Sequence, residues 1–118
     1  MLSLLKADGI EPRSPQAIAD AVEVAEANVV GALAELEQAR LVRKLAKATY
    51  YPIEQLERAE QAALAFLSAQ KAITVAELRD RLGTSRKYSQ AILAHLDREG
   101  ATVRRGDVHY LRRSRSRQ

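Results

Sequence analysis

The stretch from Ile73 to Asp107 constrains the fold of this chain more than any other part of its sequence. It opens with apolar residues at helical spacing, breaks at Gly83, resumes with a polar and basic cluster and a second apolar stripe, and stops at Gly100. Two adjacent arginines then precede a Gly-Asp pair of the kind that closes a β-hairpin. This order of parts predicts a winged helix-turn-helix, which presents one helix and one hairpin to nucleic acid.

Local signals in this region predict where its elements begin and end. Thr74 and Glu77 have the spacing of a capping box at a helix start. Gly83 is placed to end that helix, and Thr84 or Ser85 to cap the next one. A further helix is expected over 57–70, and hairpin strands over 101–105 and 108–112 with a type II′ turn. The positions expected to face the core are Ala62, Leu64, Ala65 and Leu67, then Val75, Leu78 and Leu82, then Ile92, Leu93 and Leu96.

The chain repeats itself after 60 positions. A shift of that length aligns it without a gap and superposes identical residues, among them Asp20 with Asp80 and Tyr50 with Tyr110. Three helices are expected in the first copy: one over 2–7, one that Ser14 caps and that has Pro15 in its first turn, and one over 25–39. Strands are expected over 41–45 and 49–53. We therefore predict a mostly helical α+β fold with two tandem winged helix-turn-helix domains, each with three helices and a β-hairpin wing. The predicted segments are 1–58, 59–112 and a basic, disordered tail over 113–118.

Charge divides the two halves of the sequence. Residues 1–60 contain 7 Lys/Arg and 10 Asp/Glu, whereas residues 61–118 contain 12 and 5, so the net charges are −3 and +7. A polyanion is therefore expected to bind the C-terminal half. Cysteine is absent, which excludes thiolate zinc sites, and there is no apolar run of membrane-spanning length and no secretory signal pattern. We expect a cytoplasmic protein without a membrane partner.

The third helix of the second domain has a face suited to contact with a nucleic-acid backbone. A helical wheel places Lys87, Gln90 and Ala94 on the side opposite the core, with Arg86 and Tyr88 on the flanks. The equivalent face of the first domain has no cation. Some of these residues also have purely structural interpretations: Thr84 and Ser85 as caps, Arg86 and Lys87 as solvated surface, Tyr88 as partial core. His95 and His109 are isolated in the sequence, and no metal-binding or catalytic role is expected for either.

The segment Ile73–Tyr88, with its Gly-Thr-Ser-Arg-Lys-Tyr run, and the wing sequence Arg104-Arg105-Gly106-Asp107-Val108 closely resemble the last winged-helix domain of the bacterial selenocysteine-specific elongation factor SelB. Residues 1–60 look like the preceding winged helix of that family. The resemblance implies a module that binds a hairpin in selenoprotein mRNA and tethers a GTPase at a recoded UGA codon. The implied RNA contacts are Thr84, Ser85, Arg86, Lys87, Tyr88, Arg104, Arg105, Gly106 and Asp107. Ser89-Gln90-Ala91 departs from the family pattern, which bears on RNA specificity more than on the fold.

The same resemblance defines the expected partners. In the full-length factor these include GTP, selenocysteinyl-tRNA and the ribosome, while this chain lacks a G-x-x-x-x-G-K-[ST] motif and is expected to be a monomeric, non-enzymatic fragment without a cofactor. Two other functions fit a pair of winged helices: a regulator that binds double-stranded DNA, and a protein-interaction scaffold. The lack of cations on the exposed face of the third helix of the first domain argues against the former, and the basic second half against the latter.

Overall fold

The computed structural model describes residues 1–112, which form two compact units. The first unit comprises Met1–Arg58, and the second begins at Ala59. The elements are α1 (Leu2–Ala7), α2 (Pro15–Val22), α3 (Glu26–Gln38), β1 (Val42–Ala46), β2 (Thr49–Pro52), α4 (Ile53–Gln70), β3 (Ala72–Thr74), α5 (Val75–Leu82), α6 (Arg86–Arg98), β4 (Thr102–Arg105) and β5 (Val108–Leu111). The predicted mostly helical α+β class is confirmed. The basic tail predicted over 113–118 lies outside the described residues.

The first unit packs three helices against a two-stranded hairpin. Ser14 begins α2 as predicted, because its side chain accepts a hydrogen bond from the Ala17 amide while Pro15 occupies the first turn. Tyr51 anchors β2 to the loop before α2, since its hydroxyl donates to the carbonyl oxygen of Ile10 at 2.6 Å. The side chains of the core cluster are Leu5, Ile18, Ala19, Val29, Leu33, Val42 and Tyr50.

In the second unit, the turn between α5 and α6 is built as its sequence indicates. Thr74 and Glu77 form the capping box at the start of α5, and Gly83 ends the helix in the left-handed region at φ 69°. The hydroxyl of Ser89 donates to the Val75 carbonyl oxygen at 2.6 Å and ties α6 to the start of α5. The predicted stripe of Ile92, Leu93 and Leu96 is buried.

The wing of the second unit belongs to a three-stranded sheet, which the sequence analysis did not predict. β5 lies in the centre, paired antiparallel with β4 on one side and with the short strand β3 on the other. Ile73 is buried and lies opposite His109. A type II′ turn has a positive φ at its first central residue and a negative φ at its second. Gly106 has a φ of 62°, and Asp107 is not among the described residues with a positive φ, so both agree with this turn type.

The buried face of α4 differs from the predicted one. Ala59, Ala63 and Leu67 are fully buried, whereas Ala65 is exposed and Leu64 is only partly covered. The buried positions follow each other at intervals of four, as one face of a helix does. The prediction is correct for Leu67 and wrong for Ala65. Alanines occur on several sides of this helix, and an alanine does not distinguish a buried position from an exposed one by its hydrophobicity.

Candidate nucleic-acid interface

The start of α6 presents exposed cations directly after a turn. Ser85 occupies the N-cap position in extended backbone geometry, but its side chain forms no capping hydrogen bond. Arg86 and Lys87 follow in the first turn, and both are exposed. Because amide groups at a helix start carry partial positive charge, this end of α6 favours anions even before its two cations are considered.

Tyr88 is neither fully buried nor a free aromatic surface. Its side chain is half-buried, and the Lys87 ammonium lies 5.2 Å from the centre of its ring. A cation at this distance from an aromatic ring is attracted to it without losing its charge. The Tyr88 ring therefore attracts the Lys87 ammonium at the start of α6.

The two arginines of the wing point to opposite faces of the sheet. Arg104 lies opposite His109 on β5, and Arg105 lies opposite Val108. Arg104 also donates from Nε to the Gly106 carbonyl oxygen at 2.7 Å, which holds its guanidinium near the turn. Since side chains alternate across a strand, only one of the two arginines can face α6.

A groove of about 350 Å³ lies between α6, the start of α5 and the wing. Arg86 contributes to its wall from the helix and Arg104 from the wing, so the fold brings together two cations that are 18 positions apart in the sequence. The other lining residues important for its chemistry are Gln90, Ala94, Asp107 and His109. Thr84, Ser85, Lys87, Tyr88 and Arg105 do not line this groove.

A buried polar network forms part of the groove. Asp97 accepts a hydrogen bond from the Thr102 hydroxyl at 2.5 Å, and its carboxylate lies 3.1 Å from Nδ1 of His109. His95 makes a similar contact elsewhere in the unit, with its Nε2 2.8 Å from the Glu60 carboxylate. Both histidines look isolated in the sequence, because Asp97 lies 12 positions from His109 and Glu60 lies 35 positions from His95. In residues 1–112, no group of three potential metal ligands occurs.

No helix within the described residues is both long enough and apolar enough to cross a membrane. Exposed cations lie at the start of α6 and on the wing, where Val103, Tyr110 and Leu111 are exposed as well.

Comparisons with known proteins agree with this arrangement. Residues 65–111 match the family model for the winged helix of elongation factor SelB. Among solved structures, the mRNA-binding domain of elongation factor SelB from E. coli, determined in complex with SECIS RNA, superposes with a TM-score of 0.81 at 28% identity, covering 89% of this chain and 87% of that chain. A bacterial selenocysteine-specific elongation factor, EF-Sec, gives a TM-score of 0.59 at 23% identity, covering 69% of this chain and 13% of that one. No curated protein sequence matches the chain.

The family model covers most of the second unit, from α4 to β5. The superposition with the E. coli domain extends over most of both units. These findings confirm the resemblance drawn from the sequence: residues 65–111 match the SelB winged-helix model, and the chain as a whole has the fold of the mRNA-binding domain of that elongation factor.

Proposed function

We propose that this chain binds an mRNA stem-loop and thereby tethers a selenocysteine-specific elongation factor for recoding at UGA. The groove between α6 and the wing carries the proposal, because it places Arg86 and Arg104 on two sides of one depression in the unit that matches the SelB family model. The relative of known structure was determined in complex with SECIS RNA, which supports RNA as the ligand.

The chemistry of this groove suits a hairpin loop better than a regular duplex. The major groove of A-form RNA is deep and narrow, so proteins recognise RNA mainly through its backbone and through unstacked bases in loops. Two guanidinium groups can each bind a phosphate, and the groove between them offers an amide at Gln90 and a carboxylate at Asp107 to the edge of one base. The proposed RNA-binding residues are Thr84, Ser85, Arg86, Lys87, Tyr88, Arg104, Arg105, Gly106 and Asp107.

The rest of the proposal concerns the larger factor. This chain spans 13% of the EF-Sec chain, so GTP, selenocysteinyl-tRNA and the ribosome are proposed as partners of the factor rather than of this surface. We assign residues 1–58 to the penultimate winged helix and residues 59–112 to the last one. Within the factor, this chain would act as a monomeric anchor in the cytoplasm, without catalytic activity of its own.

The test is a binding titration of the full chain against three labelled ligands: an RNA stem-loop, the same stem without its loop, and a DNA duplex of equal length. A SECIS-type stem-loop is expected to bind at least about tenfold more tightly than the other two, because loop bases supply contacts that a duplex withholds. Tighter binding to the DNA duplex would support a transcriptional regulator instead. Equally weak binding to all three ligands would support a protein-interaction scaffold.

A further inference from the structure

The wing of the first unit is basic although the unit as a whole is acidic. Four of the seven cations in residues 1–60 lie between positions 40 and 47, and no Asp or Glu occurs from Gln38 to Ile53. The four side chains are exposed: Arg40, Arg43, Lys44 and Lys47. The acidic residues that give the unit its negative charge therefore lie outside this hairpin.

The basic hairpin corresponds to the wing that lines the groove of the second unit. In the 60-residue repeat, Lys44 occupies the position of Arg104, and Lys47 occupies that of Asp107. Lys44 lies opposite Tyr50 on β2, and its ammonium lies 5.5 Å from the centre of the Tyr50 ring. Such a contact holds the ammonium in place but leaves its positive charge available to an anion.

The helix next to this wing has the opposite character. Glu26, at the first position of α3, replaces Arg86 in the repeat, and Ala27 replaces Lys87. A carboxylate at this point repels phosphate, so the start of α3 disfavours contact with a nucleic-acid backbone, whereas the cationic start of α6 favours it. Contact through a wing alone reaches phosphates but does not place a helix against base edges.

We propose that Arg43, Lys44 and Lys47 on the wing of the first unit, together with Arg40 just before it, bind the sugar–phosphate backbone of double-stranded RNA without recognising its sequence. The proposal rests on the proposed function of the chain only in taking RNA as the polyanion. It adds a second RNA-binding surface on the first unit, for which the net charge did not predict nucleic-acid binding. Neutralisation of phosphates by exposed lysines and arginines is the sequence-independent part of nucleic-acid binding, and it weakens as salt rises.

The experiment compares two full-length variants of equal net charge. Lys44→Gln/Lys47→Gln removes two wing cations, whereas Lys6→Gln/Arg58→Gln removes two cations of the same unit that lie outside the wing. Binding to a blunt, loop-free RNA duplex is measured by fluorescence anisotropy over a range of salt. The wing variant is expected to lose about 3- to 10-fold in affinity at low salt, and its log–log salt slope should be shallower by about 1.5 to 2.

The control variant should stay within about twofold of the unchanged chain, because its charges act only from a distance. Equal losses in the two variants, or no loss in either, would overturn the proposal. Since Lys44 also contacts Tyr50, a third variant, Arg40→Gln/Lys47→Gln, leaves that contact intact and should show the same loss as Lys44→Gln/Lys47→Gln. Thermal denaturation of all variants verifies folding.

A parallel titration with the stem-loop separates this proposal from the function of the second unit. If the unchanged chain binds stem-loop and duplex equally and the wing variant loses duplex affinity, the proposed hairpin recognition is wrong and the present inference holds. If the loop is bound tightly while the two variants bind the duplex equally, the inference fails and the hairpin function holds.

Discussion

Replacing Arg86 with alanine should weaken stem-loop binding with little effect on folding. Arg86 is exposed at the first position of α6 and lines the groove opposite Arg104. Its guanidinium is expected to make one charge-assisted contact with a phosphate, and loss of such a contact costs about 1–3 kcal/mol. Since each 1.4 kcal/mol corresponds to about a factor of ten, Kd should rise between about 5- and 150-fold.

The effect on stability should be small and favourable if it is detectable. An exposed side chain outside the core usually contributes within about 0.5 kcal/mol, and a cation at a helix start opposes the helix dipole. Fluorescence anisotropy with a labelled stem-loop measures the affinity, and thermal denaturation measures the stability of the same preparations. Arg81→Ala is the matched control, because Arg81 is exposed on α5 and does not line the groove.

Two outcomes would refute this reasoning. Unchanged affinity in the Arg86→Ala variant would remove the helix start from the binding surface. An equal loss in the Arg81→Ala variant would show that the total charge of the unit, and not the groove, determines binding.

Three further predictions concern the rest of the chain. A fragment of residues 59–118 should retain most of the stem-loop affinity and a fragment of residues 1–58 almost none, so titrations in which the halves bind equally would contradict the division by charge. Log affinity of the full chain for the stem-loop should fall with log salt at a slope of roughly −2 to −5, as about three to five phosphate contacts from Arg86, Lys87 and the wing require; a flat salt titration would indicate a neutral partner. Ser89→Ala should destabilise the protein by about 1–3 kcal/mol, because it leaves the Val75 carbonyl without the hydroxyl that donates to it at 2.6 Å, and an unchanged melting temperature would contradict this.

The sequence was sufficient to predict the elements that depend on local chemistry. Thr74 and Glu77 define a helix start within four residues, and Gly83 ends the same helix by adopting a left-handed backbone that other residues avoid. The order of helices and hairpins follows from these signals and from the 60-residue repeat. The nine proposed RNA-binding residues come from motif position alone and remain predictions.

Features that depend on distant partners could not be predicted in this way. Strand β3 contains only three residues, too few to show a periodicity, and it becomes a strand because β5, more than 30 positions later, pairs with it. The contacts of His109 with Asp97 and of His95 with Glu60 likewise form only when the unit folds. The signal for these contacts is that a histidine and a carboxylate lie on elements that face each other. That signal can be used only once the packing of those elements is known.

The central position of β5 has a consequence for how the second unit meets its ligand. A free hairpin can swing as a whole, and a ligand that immobilises it must offset the lost conformational entropy. In the second unit, β5 is hydrogen-bonded on both edges, so moving the wing away from α6 would require the ladder to β3 to open as well. In the first unit, β2 pairs with β1 alone. One wall of the groove is therefore rigid before RNA arrives, and the amides of β5 should be among the slowest in the unit to exchange with solvent deuterium.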